Sequence, residues 1–302
     1  MKMNIGYLEI SKLSEDQARE YLENLRWVDG RTCPHCGSEK SYQLTPKEDS
    51  KTHVRKGVYK CSVCRKQFTV TVGTIFEDSH IPLAKWLCAI YLMCSSKKGI
   101  SANQIHRMLE ITYKSAWFMC HRIRYAMEQN SFKKMQGTIE VDETYVGGKS
   151  RRIGNKTGFE NKTPVVSLVQ RNGEVRSFVV ETVSSATLKK VLTENMSKQA
   201  KLMTDELRAY KKVGKEFASH EVVNHKRYEY VRGDVTTNTV EGYFGLLKRG
   251  INGTFHHVSR KHLQRYLSEF DFRYNFHKLN DKYITPLAIE GFEGKRLMYR
   301  DS

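Results

Sequence analysis

The stretch Thr138-Ile-Glu-Val-Asp-Glu-Thr-Tyr145 alternates apolar and polar side chains. Ile139, Val141 and Tyr145 share one face, whereas the opposite face is polar and includes Asp142. A period of two residues is typical of a β-strand with one buried face. The stretch therefore predicts a strand that presents a carboxylate on its polar face.

Downstream of this strand, the pattern continues as a mixture of strands and helices. Two further strands, at 165–169 and 175–183, flank Asn172-Gly173, a strong signal for a β-hairpin. The remaining predicted segments are a helix at 186–196, short strands at 202–204 and 221–223, and closing helices at 237–251 and 259–277. This succession predicts an α/β domain with the element order of a ribonuclease H-like fold.

Upstream, two cysteine pairs, Cys33-Pro-His-Cys36 and Cys61-Ser-Val-Cys64, are separated by 24 residues. Each pair lets two thiolates reach one ion, and four thiolates suit a tetrahedral structural Zn²⁺. The alternative is that the cysteines are redox-active or incidental. We expect His35, between two ligands, not to bind the ion. The other three cysteines, two of which lie in strongly apolar helical context, are expected in the core: Cys88, Cys94 and Cys120.

Three helices are predicted between the cysteine pairs and the α/β domain, at 83–96, 101–109 and 113–127. Short polar or glycine-containing turns join them, as in a helix-turn-helix DNA-binding domain, although most three-helix sequences bind no DNA. A preceding helix begins at Ser14, which with Gln17 forms a capping-box pattern. The predicted domains are an N-terminal helix and zinc ribbon (1–80), a helix-turn-helix domain (81–132), a catalytic α/β domain (133–280) and a loosely packed C-terminal extension (281–302).

The composition indicates a nucleic-acid partner. Of 302 residues, 51 are Lys or Arg and 33 are Asp or Glu, which gives a formal net charge of +18. Such an excess attracts polyanions, of which nucleic acid is the commonest for a basic globular protein. The longest apolar run, 86–94, is too short to cross a bilayer, and no N-terminal signal is visible. We therefore expect a cytoplasmic, nucleoid-associated protein without a membrane partner.

Three carboxylates are candidates for chemistry. Asp142 lies in the quoted strand, Asp205 ends another strand, and Glu241 lies early in a helix. Hard divalent ions such as Mg²⁺ take oxygen ligands, and converging carboxylates repel one another until a cation enters. Lys248 lies two turns beyond Glu241 on the same helix, where a phosphate could meet both the metal and the cation. The alternative is solvated surface charge.

Several motifs, in order, resemble those of the DDE transposases of bacterial insertion sequences, in the zinc-ribbon group related to the eukaryotic Merlin elements. The resemblance covers about residues 14–278. It is carried by the run Ile139 to Gly148, by Thr204-Asp-Glu206, and by Asn238-Thr-Val-Glu-Gly-Tyr-Phe-Gly-Leu-Leu-Lys-Arg249. Further matching segments are 25–37, 68–76, 256–259 and 272–275.

The resemblance implies that Asp142, Asp205 and Glu241 are catalytic residues that bind Mg²⁺ or Mn²⁺. Some relatives have Asn where this chain has Glu241, so the third ligand is either Glu241 or the nearby Asn238. The carboxylates that flank the two aspartates are interpreted as neighbours rather than ligands: Glu140, Glu143 and Glu206. His225 either orients substrate or is structural.

The resemblance also implies recognition of terminal inverted repeats by the ribbon and the helix-turn-helix, followed by metal-dependent strand cleavage and transfer to target DNA. Two DNA ends must meet, so a homodimer or larger assembly is expected on double-stranded DNA. The candidate DNA contacts are Lys114, Arg122 and Arg124 on the third helix, and Lys248 with Arg249 near the cleaved end.

Two competing hypotheses belong to other classes. A domesticated, non-enzymatic DNA-binding regulator would bind the repeats without metal-dependent nicking. An RNA-directed nuclease of the same fold would prefer hybrid substrates. The presence of all three carboxylates and of Lys248 argues against the regulator.

Overall fold

The computed structural model describes residues 4–45, 56–129, 133–147 and 162–301. The chain forms two compact units: residues 1–127 with 279–302, and residues 128–278. The protein is a mixed α/β chain. None of the described helices combines the length and the apolar character that a membrane-spanning helix requires.

A five-stranded mixed sheet forms the centre of the second unit. Its strands are β4 (Thr138–Gly147), β5 (Lys162–Gln170), β6 (Val175–Val179), β7 (Lys201–Thr204) and β8 (Ser219–Val222). Their order across the sheet is β6-β5-β4-β7-β8. The first three strands pair antiparallel, and β4, β7 and β8 pair parallel. The predicted hairpin is confirmed: Asn172 adopts a positive φ of 57° in the turn between β5 and β6.

Helices cover both faces of this sheet. They are α6 (Ser185–Asn195), α7 (Arg208–Val213), α8 (Asn238–Gly250) and α9 (Arg260–Phe276). Ile139 and Val141 of β4 pack in one apolar cluster with residues of α6 and α7. Val146 packs in a second cluster with α8 and α9. The alternation along β4 therefore divides the strand between two cores, as a strand covered on both sides requires.

The predicted helix and strand bounds in this unit agree with the structure to within a few residues. The main exception is β6, which ends at Val179, four residues before the predicted end. A two-stranded ribbon that was not predicted, β9 (Val231–Arg232) and β10 (Val235–Thr236), lies immediately before α8.

The first unit begins with two helices, α1 (Tyr7–Ile10) and α2 (Glu15–Arg26). The predicted capping box is confirmed, because the Ser14 hydroxyl accepts from the Gln17 amide and the Gln17 side chain accepts from the Ser14 amide. A small antiparallel sheet follows, formed by β1 (Ser41–Gln43), β2 (Tyr59–Cys61) and β3 (Gln67–Phe68).

Three consecutive helices follow the small sheet: α3 (Leu83–Ser95), α4 (Ala102–Leu109) and α5 (Tyr113–Ala126). Ser101 and Thr112 cap α4 and α5 by accepting from backbone amides three residues ahead. The turn between these two helices places Glu110 in the left-handed region at φ 51°. These local signals explain why the helix bounds could be predicted closely.

The prediction of a loosely packed C-terminal extension is wrong. Residues 281–290 form α10 (Asp281–Glu290), which packs against α2 and α3 within the first unit. Ile284, Ala288 and Phe292 are buried. The helix contains Pro286 and is apolar on much of its surface, so it lacks the clear stripe that reveals an amphipathic helix in a sequence.

Candidate functional site

The pairing of β4 with β7 brings the two predicted aspartates to the same edge of the sheet. These parallel strands pair Thr138 with Lys201 and Glu140 with Met203. Continued by two residues, the same register places Asp142 opposite Asp205, which directly follows the end of β7. Polar residues where parallel strands end commonly line the functional crevice of an α/β sheet.

One carboxylate oxygen from each of Asp142, Glu143 and Asp205 lies within 4.8 Å of the other two. The Glu143 amide donates to Asp142 Oδ1 at 2.8 Å, and the Leu207 amide donates to Asp205 Oδ1 at 3.0 Å. The Tyr210 hydroxyl donates to Glu143 Oε2 at 2.9 Å. Glu143, interpreted from the sequence as a mere neighbour, is therefore part of the acidic cluster. The alternation of apolar and polar residues along β4 did not indicate this role, because the Glu143 side chain lies on the face of the strand opposite Asp142.

Electrostatics in the cluster favours a bound cation. Burial raises the pKa of Asp142 to about 7, and repulsion from Glu143, Asp205 and Glu241 adds to the effect. Burial also raises the pKa of Glu143 and of Asp205. Like charges held in a partly dry site resist ionisation until a positive charge compensates them. Oxygen donors of this kind fit a hard divalent ion such as Mg²⁺ or Mn²⁺.

Glu241 lies in the first turn of α8 and is not in the group of oxygens within 4.8 Å of one another. Its side chain is 44% exposed, and its Oε1 lies 3.6 Å from His225 Nε2. The Thr237 hydroxyl donates to the same Oε1 at 2.9 Å. Its charge nevertheless raises the pKa of Asp142, so it belongs to the electrostatic surroundings of the cluster. The neighbouring Asn238, the predicted alternative, is exposed.

Glu140 fixes α8 to β4. It is fully buried and forms an ion pair with Arg171. Its Oε2 also accepts from the amides of Thr239 and Val240, at 2.8 and 3.1 Å, in the first turn of α8. A carboxylate at a helix N-terminus satisfies amides that have no partner within the helix. Glu140 is thus a structural anchor, in agreement with its interpretation as a non-ligand.

Glu206 and His225 join the end of β7 to the segment that leads into α8. The His225 amide donates to Glu206 Oε2 at 3.0 Å. The His225 ring lies near both Glu241 and Thr237, with Nε2 3.4 Å from the Thr237 hydroxyl. His225 therefore contacts the side chain of a predicted catalytic residue, a position that either of its predicted roles would allow.

A second cluster, in the first unit, consists of the four predicted cysteine ligands. All four sulfurs lie within 4.8 Å of one another. Cys33 Sγ is 3.7 Å from Cys64 Sγ, and Cys36 Sγ is 3.6 Å from Cys61 Sγ. Tetrahedral zinc with Zn–S bonds of about 2.3 Å requires sulfurs about 3.8 Å apart. The spacing and the donor chemistry therefore fit a structural Zn²⁺.

The backbone of the ribbon also favours a thiolate. The Cys64 amide donates to Cys61 Sγ at 3.4 Å, and such amide contacts lower the pKa of Cys61 to about 6. The His35 ring instead lies 3.2 Å from the Gln67 carbonyl, consistent with its predicted exclusion from the ligand set. The other three cysteines are buried, as predicted: Cys88, Cys94 and Cys120.

The basic residues proposed for DNA contact separate into two groups. Lys114, Lys248 and Arg249 are exposed. Arg122 and Arg124, by contrast, are only 6% and 1% exposed. Their positions do not support the prediction that they contact DNA.

Arg122 has an internal role instead. Its guanidinium donates to the carbonyls of Ile75, Glu77 and Leu297. These acceptors come from segments far away in the sequence, so nothing near Arg122 along the chain could have revealed that it is buried.

Comparisons with known proteins match one domain in each unit. Residues 134–275 match the family model of the ISXO2-like transposase domain, and residues 13–67 match the transposase zinc-ribbon domain. A protein of Halobacterium salinarum described as an uncharacterized protein in transposable element ISH50 is 28% identical over 282 residues. The match covers 86% of this chain and 91% of that protein. The chain therefore belongs to the insertion-sequence transposases that carry a zinc ribbon ahead of an ISXO2-like transposase domain.

Proposed function

We propose that the second unit catalyses metal-dependent DNA strand cleavage and strand transfer at the ends of a mobile element. The observation that carries the proposal is the convergence of Asp142 and Asp205, with Glu143, within 4.8 Å at one edge of the sheet. The strand order β6-β5-β4-β7-β8, three antiparallel strands followed by two parallel ones, supports the predicted ribonuclease H-like fold.

In this proposal, Asp142 and Asp205 hold divalent cations, with Glu241 approaching from α8. When bound, two such ions activate the attacking oxygen and stabilise the leaving oxygen of an in-line displacement at phosphorus. Glu143 is an additional candidate ligand, because its oxygen already lies in the cluster. The partial burial of Asp142, Glu143 and Asp205 limits their contact with water, which strengthens their interaction with a cation.

The proposed substrate is double-stranded DNA, both the terminal inverted repeats and the target. The net charge of +18 supports binding to the phosphate backbone. The zinc ribbon and the helices α3–α5, interpreted as a helix-turn-helix domain, would recognise the repeats. Lys114 is a candidate contact there, and Lys248 with Arg249 at the end of α8 are candidate contacts near the cleaved strand. A homodimer or larger assembly on DNA would bring two ends together at the nucleoid.

The test is a nicking assay on duplex DNA that carries the inverted repeats bracketing the gene, with a scrambled duplex as the control substrate. Nicking is expected with Mg²⁺ or Mn²⁺ and not without divalent ions. Asp142→Asn and Asp205→Asn should abolish nicking and leave DNA affinity nearly unchanged. Glu194→Gln, an exposed carboxylate on α6, is a matched control that should nick normally.

The alternative of a non-enzymatic regulator has one observation in its favour: the Glu241 oxygens are not within the tight acidic cluster. Specific binding to the repeats without nicking under any divalent ion would support the regulator and contradict the enzymatic proposal. Nicking that prefers RNA–DNA hybrids would support the RNA-directed nuclease instead.

A further inference from the structure

The segment between β8 and α8 presents tyrosines and cations to solvent. We call residues 225–234 the aromatic loop. Within it, Tyr228 is 85% exposed and Tyr230 is 51% exposed. Lys226 and Arg227, which directly precede Tyr228, are also exposed. An aromatic side chain that is this exposed gains almost nothing from burial on folding.

The backbone conformation at Tyr228 is unfavourable for a residue with a large side chain. Tyr228 adopts φ 59° and ψ 22°, in the left-handed region. Bulky residues rarely adopt this conformation, which costs free energy, whereas glycine and asparagine tolerate it. Five residues later in the same loop, the chain has a similar φ of 60° and uses glycine, Gly233.

The turn at Tyr228 does not depend on its ring. The Tyr228 amide donates to the His225 carbonyl, and the Glu229 amide donates to the Asn224 carbonyl. Both bonds are made by the backbone, so glycine or asparagine could form the same turn at lower cost. Residues held in unfavourable backbone regions cluster at functional sites, and here the ring itself is the unexplained feature.

The aromatic loop is attached to the acidic site at its first residue. The His225 amide binds Glu206, which directly follows Asp205, and the His225 ring lies near Glu241. The Tyr230 ring lies 5.1 Å from the His225 ring, centroid to centroid. The loop then leads through β10 into α8. The loop is therefore attached at His225 to the surroundings of the acidic site, and Tyr228 follows this attachment point by three residues.

The charges beside Tyr228 suit a phosphate backbone. The Lys226 side chain is 83% exposed, and its Nζ lies 3.6 Å from a carboxylate oxygen of Glu206, farther than in a charge-assisted hydrogen bond. The ammonium group therefore remains accessible to a phosphate. Arg232 is not a candidate phosphate contact, because it pairs with Glu221 and lies near Glu229. Cations beside exposed aromatic faces are the combination by which proteins bind unpaired nucleotides.

We propose that the aromatic loop binds an unpaired nucleotide of the DNA strand next to the cleavage site, with Tyr228 stacking on the base. Lys226 and Arg227 contact the adjoining phosphates. The inference rests on the proposed function for its substrate and adds to it a subsite for a locally opened strand. It also explains why a ring stands at a position where the backbone favours glycine or asparagine.

The test measures binding without cleavage. Repeat-end duplexes with a short 3′ or 5′ single-stranded overhang carry 2-aminopurine in the overhang, and blunt duplexes serve as the comparison. Buffers contain no divalent ion, so no strand is cut. The wild-type protein should prefer at least one overhang duplex and quench its fluorescence, because stacking on a ring quenches the probe.

Tyr228→Asn is the decisive variant. It removes the ring and suits the left-handed backbone, so its melting temperature should equal or exceed that of the wild type. Its affinity for the preferred overhang duplex should fall by about tenfold, the loss typical of one stacked base. Its affinity for blunt duplex should not change. Tyr228→Phe should behave as the wild type, and Val231→Ala, an exposed residue of the same loop, is the matched control.

Equal overhang affinity and equal quenching for Tyr228→Asn and the wild type would overturn the inference. A loss of self-association by Tyr228→Asn with unchanged overhang binding would also overturn it, because the ring would then contact a second copy of the chain and not a nucleotide. The outcome is separable from the proposed function. Tyr228-dependent binding without any metal-dependent nicking would support the nucleotide subsite and contradict the enzymatic proposal. Metal-dependent nicking without Tyr228-dependent binding would support the enzymatic proposal and contradict the subsite.

Discussion

Glu140, the buried residue that joins β4 to α8, allows a direct test of how the fold positions the acidic cluster. Glu140 is 0% exposed, and its two oxygens accept four hydrogen bonds. Oε1 accepts from Arg171 Nε at 2.7 Å and from the Thr239 hydroxyl at 2.9 Å, and Oε2 accepts from the amides of Thr239 and Val240. Glu140→Gln keeps the shape of the side chain but replaces one acceptor with an NH₂ donor.

Either orientation of the new amide leaves a donor without an acceptor. If the NH₂ replaces Oε2, two backbone amides of α8 lose their acceptor. If it replaces Oε1, the Arg171 guanidinium loses its acceptor. A buried polar group left unsatisfied costs about 1–3 kcal/mol, and breaking a buried ion pair costs about 3–5 kcal/mol. Arg171 is partly exposed and can recover some hydration, so we expect a loss of about 3 kcal/mol. For a unit of about 150 residues, that lowers the melting temperature by about 6–12 °C.

Calorimetry and hydrogen exchange would measure this loss. Protection should fall in peptides from β4 and α8 and remain in those from α2, which lies in the other unit. Glu194→Gln is the surface control, for which a change within about 0.5 kcal/mol is expected. Adding Arg171→Met should recover part of the loss, because the double variant no longer leaves a buried donor facing an amide. A melting temperature within 2 °C of the wild type for Glu140→Gln would refute the reasoning.

Four further outcomes are expected. Because the pKa of Asp142 is raised from 3.8 to about 7, its carboxyl contributes stability at about pH 4 that is lost as the pH rises through about 7. Without added divalent ions, Asp142→Asn should therefore flatten the fall in melting temperature between about pH 4 and pH 7. Cys61→Ser should lower the measured zinc content and unfold the ribbon by circular dichroism, and normal zinc content would contradict the ligand assignment. Arg122→Met should destabilise the first unit by about 2–3 kcal/mol in denaturant titrations, since three carbonyls lose their donor, while the affinity of the folded protein for DNA is unchanged. Lys114→Ala should reduce the salt dependence of DNA binding by about one unit of slope without affecting stability.

Local signals account for most of what the sequence predicts correctly. Apolar alternation located β4, Asn172-Gly173 located the hairpin, and Ser101 and Thr112 located the starts of two helices. Each of these depends on residues adjacent in the chain, where steric and hydrogen-bonding preferences act directly. The four-cysteine cluster was also predictable, because a metal fixes the spacing of its ligands.

Two of the failures, the roles predicted for Arg122 and for the C-terminal segment, involve contacts between residues distant in sequence. Arg122 lies on a helix of the kind that reads DNA, yet its hydrogen-bond acceptors come from Ile75, Glu77 and Leu297. The sequence around a helix specifies which positions face inward only when its apolar stripe is narrow, and α5 is buried over much of its surface. An arginine on such a helix can be internal if carbonyls from other segments reach it. No residue close to the arginine in the sequence indicates where these carbonyls come from.

At the acidic site, the position of Glu241 follows from the hydrogen bonds that Glu140 makes with the first turn of α8. Glu140 and Asp142 are two residues apart and share a face of β4, the face that α8 covers. Because Glu140 binds the first turn of α8, the helix must bring Glu241 towards Asp142 from that side. Glu143 points to the other face, where Tyr210 of α7 holds it. Asp142 and Asp205 would hold a divalent cation, and Glu241 and Glu143 are the two candidates for a third carboxylate ligand. Measuring Mn²⁺ affinity in Glu143→Gln and Glu241→Gln separately would decide between them, and equal losses would mean that both faces contribute.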